Sequence, residues 1–426
     1  MGIRHLQMLL KNVCQKSGIN NFSSATDFIK SEKMRLFRQC LQEEKVISPI
    51  KQMQLRNIIN AKPYFVGVDA YLYVTRYKRV FKKIEYGFMR QIMLALSAGM
   101  IPVYVFDGKA PEQKRNTIIN RQNKKQQIRD KLEEFLFSNN ENDPSLIDTN
   151  QFTNQFMDMS FDEILDSTLE AIKTIETTRT GKLVSSNYLL HNSDDTSEKY
   201  TEFIKLAKKA ISIKYEDIEN LKEFLDLLKI PHITATNEAD DMLAYLYKKG
   251  IIQACQSDDM DMLPKGCGNV IQISSKGILQ FVLPDILTEL KLNHNQFVDL
   301  CILLGSEYHT SYLPKINPIE LYKMFTSHPN PSLESFAQMY LESDPKILQH
   351  LDSYIKVRDS FLILNEKPKN ILDHRLSPIN LTTIINYFKK IGICLSDEHY
   401  RKIKLMIKPI NEFIEKLPYG LTINAA

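Results

Sequence analysis

The sequence predicts an α/β protein: a mostly parallel central sheet with helices on both faces, extended by a helical insertion and an all-helical C-terminal region. Three observations carry that expectation. Short apolar runs rich in β-branched and aromatic residues occur at 64–70, 101–106 and 251–256. Helical patterns lie between them at 85–100 and 238–250. From about residue 285 the periodicity is helical, with proline breaks at Pro314, Pro318, Pro329 and Pro331. Strands alternating with helices wind into a parallel sheet, and such sheets take ligands outside the carboxyl ends of their strands.

Each strand is bounded by a turn signal and leads into acidic residues. "YFVGVDA" ends at Asp69, "IPVYVFDGKAP" passes Asp107, and "IIQACQSDDMD" runs into Asp258, Asp259 and Asp261. The helix at 238–250 closes on Gly250. A further apolar run, "VDLCILLGSEY", has helical spacing at Phe297, Leu300, Cys301 and Leu304, so it reads as a helix ending at Gly305. Residues 112–137 are basic and helical, and polar stretches after them mark a long insertion up to about 230.

Composition limits the function classes. With 426 residues, 43% hydrophobic and 25% charged, the chain can bury a large core in two or three domains. A net charge of +4 is too mild to argue for nucleic acid by itself. None of the six cysteines has C-x-x-C spacing, which speaks against zinc and for free thiols in a reducing compartment. The N-terminus lacks the apolar region of a secretory signal, and no apolar run approaches the length that spans a membrane.

The acidic residues pose the main chemical question. Two carboxylates ~4 Å apart repel by roughly 4 kcal/mol at an effective dielectric of 20. Taken singly, each site has an ordinary explanation. Asn237 with Asp240 reads as a helix cap, and Asp107-Gly108 as a turn. Taken together, carboxylates at several strand ends converge on one sheet edge and call for a positive partner. Mg²⁺ suits a loose ring of oxygens, and two such ions can hydrolyse a phosphodiester.

The blocks "MGI", "VYVFDGKAPEQKR", "NEADDMLAYL", "SDDMDML" and "LNHNQFVDLCILLGSEY" occur in an order that resembles the flap endonuclease family of structure-specific 5′ nucleases. The resemblance covers 1–10, 64–131, 230–325 and, more weakly, 378–415. It implies a nuclease region at 1–111, a basic arch with a long insertion at 112–230, a second nuclease region at 231–308 and a helical DNA-binding region at 309–426. It also implies seven carboxylates around two Mg²⁺ ions, with Mn²⁺ as a substitute: Asp69, Asp107, Glu238, Asp240, Asp259, Asp261 and Glu307. Glu307 stands where the family usually has Asp, one methylene shorter.

Lys114 and Arg121 resemble the family's basic pair over the scissile phosphate. They lie seven apart and share a helix face. Residues 109–131 hold eight basic and two acidic side chains, Lys109, Lys124 and Lys125 among them. That is either a phosphate-tracking stripe or a solvated helix face. "RYKRVFKK" places Arg76, Lys78 and Arg79 beside Tyr77 and Phe81, which serves either stacking on DNA or core packing. Gly2 joins the DNA-binding set through the resemblance alone. So does Lys315, in "KINP" where the family has Gly-Ile-Gly-Pro, and the missing glycines put the family's potassium-linked duplex grip in question.

The expected activity is a 5′-flap endonuclease and 5′ exonuclease on branched DNA, in replication or repair. The alternatives are a junction- or bubble-cutting relative and a non-catalytic DNA-binding scaffold. No sliding-clamp box is visible, so clamp binding is not expected, and the expected form is a monomer without membrane attachment. The expected location is the nucleus or a cytoplasmic viral replication site. Composition and the missing clamp box fit a large DNA virus or a compact parasite.

Overall fold

The computed structural model describes residues 3, 5–44, 52, 63–81, 83–110, 115–137, 166, 206, 208–274, 277–305, 316–341, 347–362 and 377–415. Helix α1 (Leu6–Val13), strand β1 (Ile19–Phe22) and helix α2 (Ala25–Glu44) come first. Then follow β2 (Tyr64–Asp69), α3 (Ala70–Lys78), α4 (Ile84–Ser97), β3 (Met100–Phe106) and α5 (Arg115–Phe137). After them come α6 (Tyr215–Leu227), β4 (His232–Thr234), α7 (Ala239–Lys248), β5 (Ala254–Gln256) and a 3-10 turn (Met260–Met262). Strands β6 (Asn269–Ser274) and β7 (Gly277–Val282) close the sheet. The rest is helical: α8 (Leu283–Leu290), α9 (His294–Leu304), α10 (Pro318–Thr326), α11 (Leu333–Tyr340), α12 (Ile347–Leu362), α13 (Leu381–Lys390) and α14 (Asp397–Glu415).

The seven strands lie in the order β1-β7-β6-β5-β2-β3-β4. All neighbours from β6 to β4 are parallel, as expected. The other edge makes the sheet mostly rather than wholly parallel: β7 runs antiparallel to both β6 and β1. The chain steps from β2 through β3 to β4 on one side, then resumes with β5 and β6 on the other. That reversal beside β2 is the crevice where a doubly wound sheet binds ligands.

Burial explains why the strand ends carry the polar chemistry. All seven residues of β3 are buried. Strand β2 is buried through Val68, and only Asp69 emerges at its end. Helix α7 packs across β2, β3 and β5, while α4 packs on β3 and is covered by α14. Among the described residues, no helix is long and apolar enough to cross a membrane.

Helix α9 starts with a reciprocal cap, Asn293 to the Gln296 backbone and Gln296 back to Asn293, and stops at Gly305 with φ 91°. Its Asp299 ties down the C-terminal helices. The Arg358 guanidinium forks between Asp299 (Nε to Oδ1 2.6 Å) and Glu334 (Nη1 to Oε1 2.9 Å), joining α9, α11 and α12. The residues at 316–318 are not a phosphate loop in form: Asn317 caps α10 through Ile319 N, and Pro318 fills its first turn. Lys315 lies outside the described residues.

The Arg358 fork predicts a pH effect. Its hydrogen bonds hold Glu334 down to about 2, below the usual carboxylate range. A depressed folded-state value stabilises above the unfolded value, near 4.3, and that contribution fades as pH falls through about 2. Glu334 is 45% exposed, so screening limits the contribution to roughly 1 kcal/mol or less. Glu334→Gln should lower the urea midpoint at pH 7, and the gap from wild type should narrow as pH falls from about 4 to 2. An equal gap at pH 7 and pH 2 would contradict this.

Candidate active site

Four of the expected carboxylates come together at the carboxyl edge of the sheet, each placed by its own element. Asp69 ends β2 and caps α3, its Oδ1 accepting from Leu72 N at 3.2 Å. Asp107 follows β3, and its Oδ1 accepts from Ala239 N at 2.8 Å, in the first turn of α7. Glu238 and Asp240 belong to that same turn. The pKa of Asp69 is pushed well above the carboxylate range, first by burial and then by the charges of Asp240 and Asp107. Asp107 and Asp240 are therefore close enough to oppose the ionisation of Asp69.

The expected Asn237 cap is not what forms. Glu238 is the N-cap residue of α7 and makes no side-chain cap hydrogen bond. Asp107 takes the role from another strand. Gly108 allows it, because a Cβ there would sit 2.1 Å from Ala235 O, and its N–H reaches Asn237 O at 2.7 Å. Lys109, exposed beside it, donates its backbone N–H to Thr236 O at 3.2 Å.

The three crowded aspartates separate. Exposed Asp258 pairs with Arg76, whose guanidinium also lies 5.2 Å from the Tyr73 ring centroid. Asp259 caps the 3-10 turn, accepting from Asp261 N at 3.0 Å. Asp261 is 1% exposed. The backbone after Asp259 thus turns instead of continuing the strand.

A cation that the sequence reading missed sits among the acids. Lys265 is fully buried, with Nζ 2.6 Å from Asp241 Oδ1, 3.7 Å from Glu238 Oε2 and 4.0 Å from Asp240 Oδ2. It lies between Pro264 and Gly266, residue types that favour turns and give no hint of burial. The signal that could have exposed it is the apolar run Met260, Met262, Leu263 just ahead, all buried.

Among the described residues, no three His, Cys, Asp or Glu side chains close on one point as a finished metal cage. The donor chemistry on the Asp69, Asp107 and Asp240 side still fits a hydrated Mg²⁺. All three offer hard carboxylate oxygens, and such ions take one or two carboxylates and keep their waters. Glu307 lies outside the described residues, as do Gly2 and Lys114.

The remaining basic residues divide in two. Lys78 is committed to Asp217 on α6 at 2.7 Å, and Arg76 to Asp258. Arg121 and Lys124 are exposed on α5. Burial first, then the charges of Arg129 and Arg79, lower the Lys125 pKa. That places α5 and the residue following α3 within electrostatic reach of each other, a positive cluster from two elements. Tyr77 and Phe81 pack inward, their rings 5.5 Å apart and Tyr77 5.2 Å from Phe88. The core reading holds for these two aromatics.

Comparison with known proteins gives two family-model matches, the XPG N-terminal domain over residues 36–128 and the XPG I-region over 229–307. Flap endonuclease 1 of Heterostelium pallidum is 28% identical over 249 residues, 57% of this chain and 48% of that protein. The chain spans about half the length, or less, of the curated relatives it matches. Among solved structures, the catalytic core of Rad2 in complex with DNA substrate is similar at 18% identity and a TM-score of 0.49, covering 82% of this chain and 94% of that one. The flap endonuclease-1 from Methanococcus jannaschii is similar at 16% identity and a TM-score of 0.47, covering 83% and 94%.

Proposed function

This chain belongs to the flap endonuclease/XPG family, and on that footing we propose that it is a divalent-metal-dependent, structure-specific nuclease that hydrolyses phosphodiester bonds in branched DNA, with a 5′ flap as its main substrate. The observation that carries the reading is the meeting of Asp69, Asp107 and Asp240, from three separate elements, at the sheet's switch point.

In this reading Asp69, Asp107 and Asp240 hold Mg²⁺, and Glu238, Asp259, Asp261 and Glu307 complete the acidic surround. When bound, the ions supply Lewis-acid polarisation of the phosphate and a more acidic water. The chain's own residues do the rest. Asp107 fixes the first turn of α7, so Glu238 and Asp240 are aimed by a capped helix end. Arg121, Lys124 and Lys125 on α5, with Arg79, draw the phosphate backbone toward the edge of the sheet. Lys114 and Arg121 stabilise charge growing on the scissile phosphate. Lys109, beside Asp107, adds a phosphate contact, and the resemblance adds Gly2 and Lys315 to the DNA-binding set.

Nicking of 5′-flap, nicked, bubble and four-way DNA in Mg²⁺ tests the proposal. Wild type should cut the flap fastest, and chelation with EDTA should abolish cutting. Asp259→Ala should cut at least about a hundredfold slower, a loss of roughly 2.7 kcal/mol. Wild-type cutting no faster than Asp259→Ala would favour a DNA-binding scaffold. Fastest cutting of four-way or bubble DNA would move the substrate assignment.

A further inference from the structure

We infer that Lys265 is a positioning residue: an internal cation that gathers Glu238, Asp240 and Asp241 so that this part of the acidic cleft stays assembled without a divalent ion, and that competes with such an ion for Glu238 and Asp240. The inference rests on the nuclease reading for the identity of the competing ion.

Burial makes the case. A fully buried ammonium is tolerated only with charge partners around it, and Lys265 has three carboxylates within 4.0 Å. Those carboxylates crowd one turn, 238–241, where each would otherwise repel its neighbours. The positive end of the α7 dipole eases this only in part.

The ammonium also comes from elsewhere in the fold. Lys265 follows the 3-10 turn, held by its own N–H to Asp261 O at 3.2 Å and by Cys267 N to Met262 O at 3.0 Å. Its side chain therefore ties the Asp259–Asp261 turn to the start of α7, joining two acidic pairs distant in sequence. Asp241 is the nearest partner, at 2.6 Å, and was in no expected ligand set. The 3.7 and 4.0 Å contacts are looser, which is what release to an incoming ion requires.

The test follows thermal melting of the full chain in EDTA and through a Mg²⁺ titration, with Mg²⁺ binding measured by calorimetry. Lys265→Met removes the charge at similar length. It should melt at least about 3 °C below wild type in EDTA, recover most of that in Mg²⁺, and half-saturate at a Mg²⁺ concentration at least threefold lower. Lys265→Met combined with Asp241→Asn leaves the total charge unchanged. It should keep the tighter Mg²⁺ binding, which separates release of Glu238 and Asp240 from a general charge effect.

Equal melting in EDTA together with Mg²⁺ curves that superimpose on wild type overturns the inference. So does failure of both variants to fold in saturating Mg²⁺, because Lys265 is then a requirement of the fold that no ion replaces. No Mg²⁺ response in any of the three proteins sinks the nuclease reading and this inference together. An identical response in all three sinks this inference alone.

Discussion

Asp107→Asn is expected to leave stability within about 0.5–1 kcal/mol of wild type and to slow DNA cutting at least about a thousandfold, roughly 4 kcal/mol of transition-state stabilisation. Asp107→Ala should lose the same activity and about 1 kcal/mol or more of stability besides. The difference comes from two tasks carried by one carboxylate. Its Oδ1 caps α7 through Ala239 N at 2.8 Å, and an Asn amide oxygen accepts that bond nearly as well. Only the charged form supplies an anionic ligand for a hard cation and opposes the ionisation of Asp69. Urea midpoints report the cap, and flap nicking reports the charge. Cutting by Asp107→Asn within tenfold of wild type would remove Asp107 from the proposed metal set.

That double role shows where the sequence was legible. Strands β2, β3 and β5 announce themselves because each is a short apolar run cut off by a turn, and α9 and α7 because glycine marks their ends. Acidic residues at strand ends pointed to one edge, since parallel strands deliver their carboxyl ends together. The cap of α7 was misplaced because local spacing favours Asn237, whereas the tertiary partner Asp107 lies 132 positions away. Which strands form the antiparallel edge was not legible, for a different reason. Strand β1 is "INNF", with no alternation of its own, and it forms because the open edge of β7 pairs with it at Ile19–Phe281 through Phe22–Ile278. Lys265 was invisible because Pro-Lys-Gly has the composition of an exposed turn, and only the packing around it reverses that.

The largest stability effect should come from a residue far from the chemistry, Glu32. It is 1% exposed on α2 and accepts from three buried donors on the sheet. Tyr64 Oη donates to Oε2 at 2.8 Å, Asn269 Nδ2 to Oε2 at 2.8 Å, and Gln280 Nε2 to Oε1 at 2.8 Å. Arg35 neutralises the charge with two further hydrogen bonds, at 3.0 and 3.1 Å. One carboxylate thus fastens α2 to β2, β6 and β7. Glu32→Ala takes the charged acceptor from the Tyr64 hydroxyl and both amides, leaving them their weaker contacts to one another and to Gln253 O, while half-exposed Arg35 can turn to water. The expected cost is about 2–4 kcal/mol from lost hydrogen bonds to a charged acceptor, a large share of the 5–15 kcal/mol typical of a domain. Glu32→Gln keeps one oxygen acceptor but turns an NH₂ toward donors, so it should fall between wild type and Ala. Urea midpoints at constant slope measure the series. Asn269 also donates to Gln253 O at 3.1 Å, just before β5, so the hub steadies the strand that leads to Asp259. Glu32→Gln that is still folded should therefore cut DNA at near the wild-type rate at low temperature and lose activity early on warming. A Glu32→Ala midpoint shift worth less than about 1 kcal/mol would show that water or a neighbouring acceptor replaces the carboxylate, and that α2 is held by its apolar face alone.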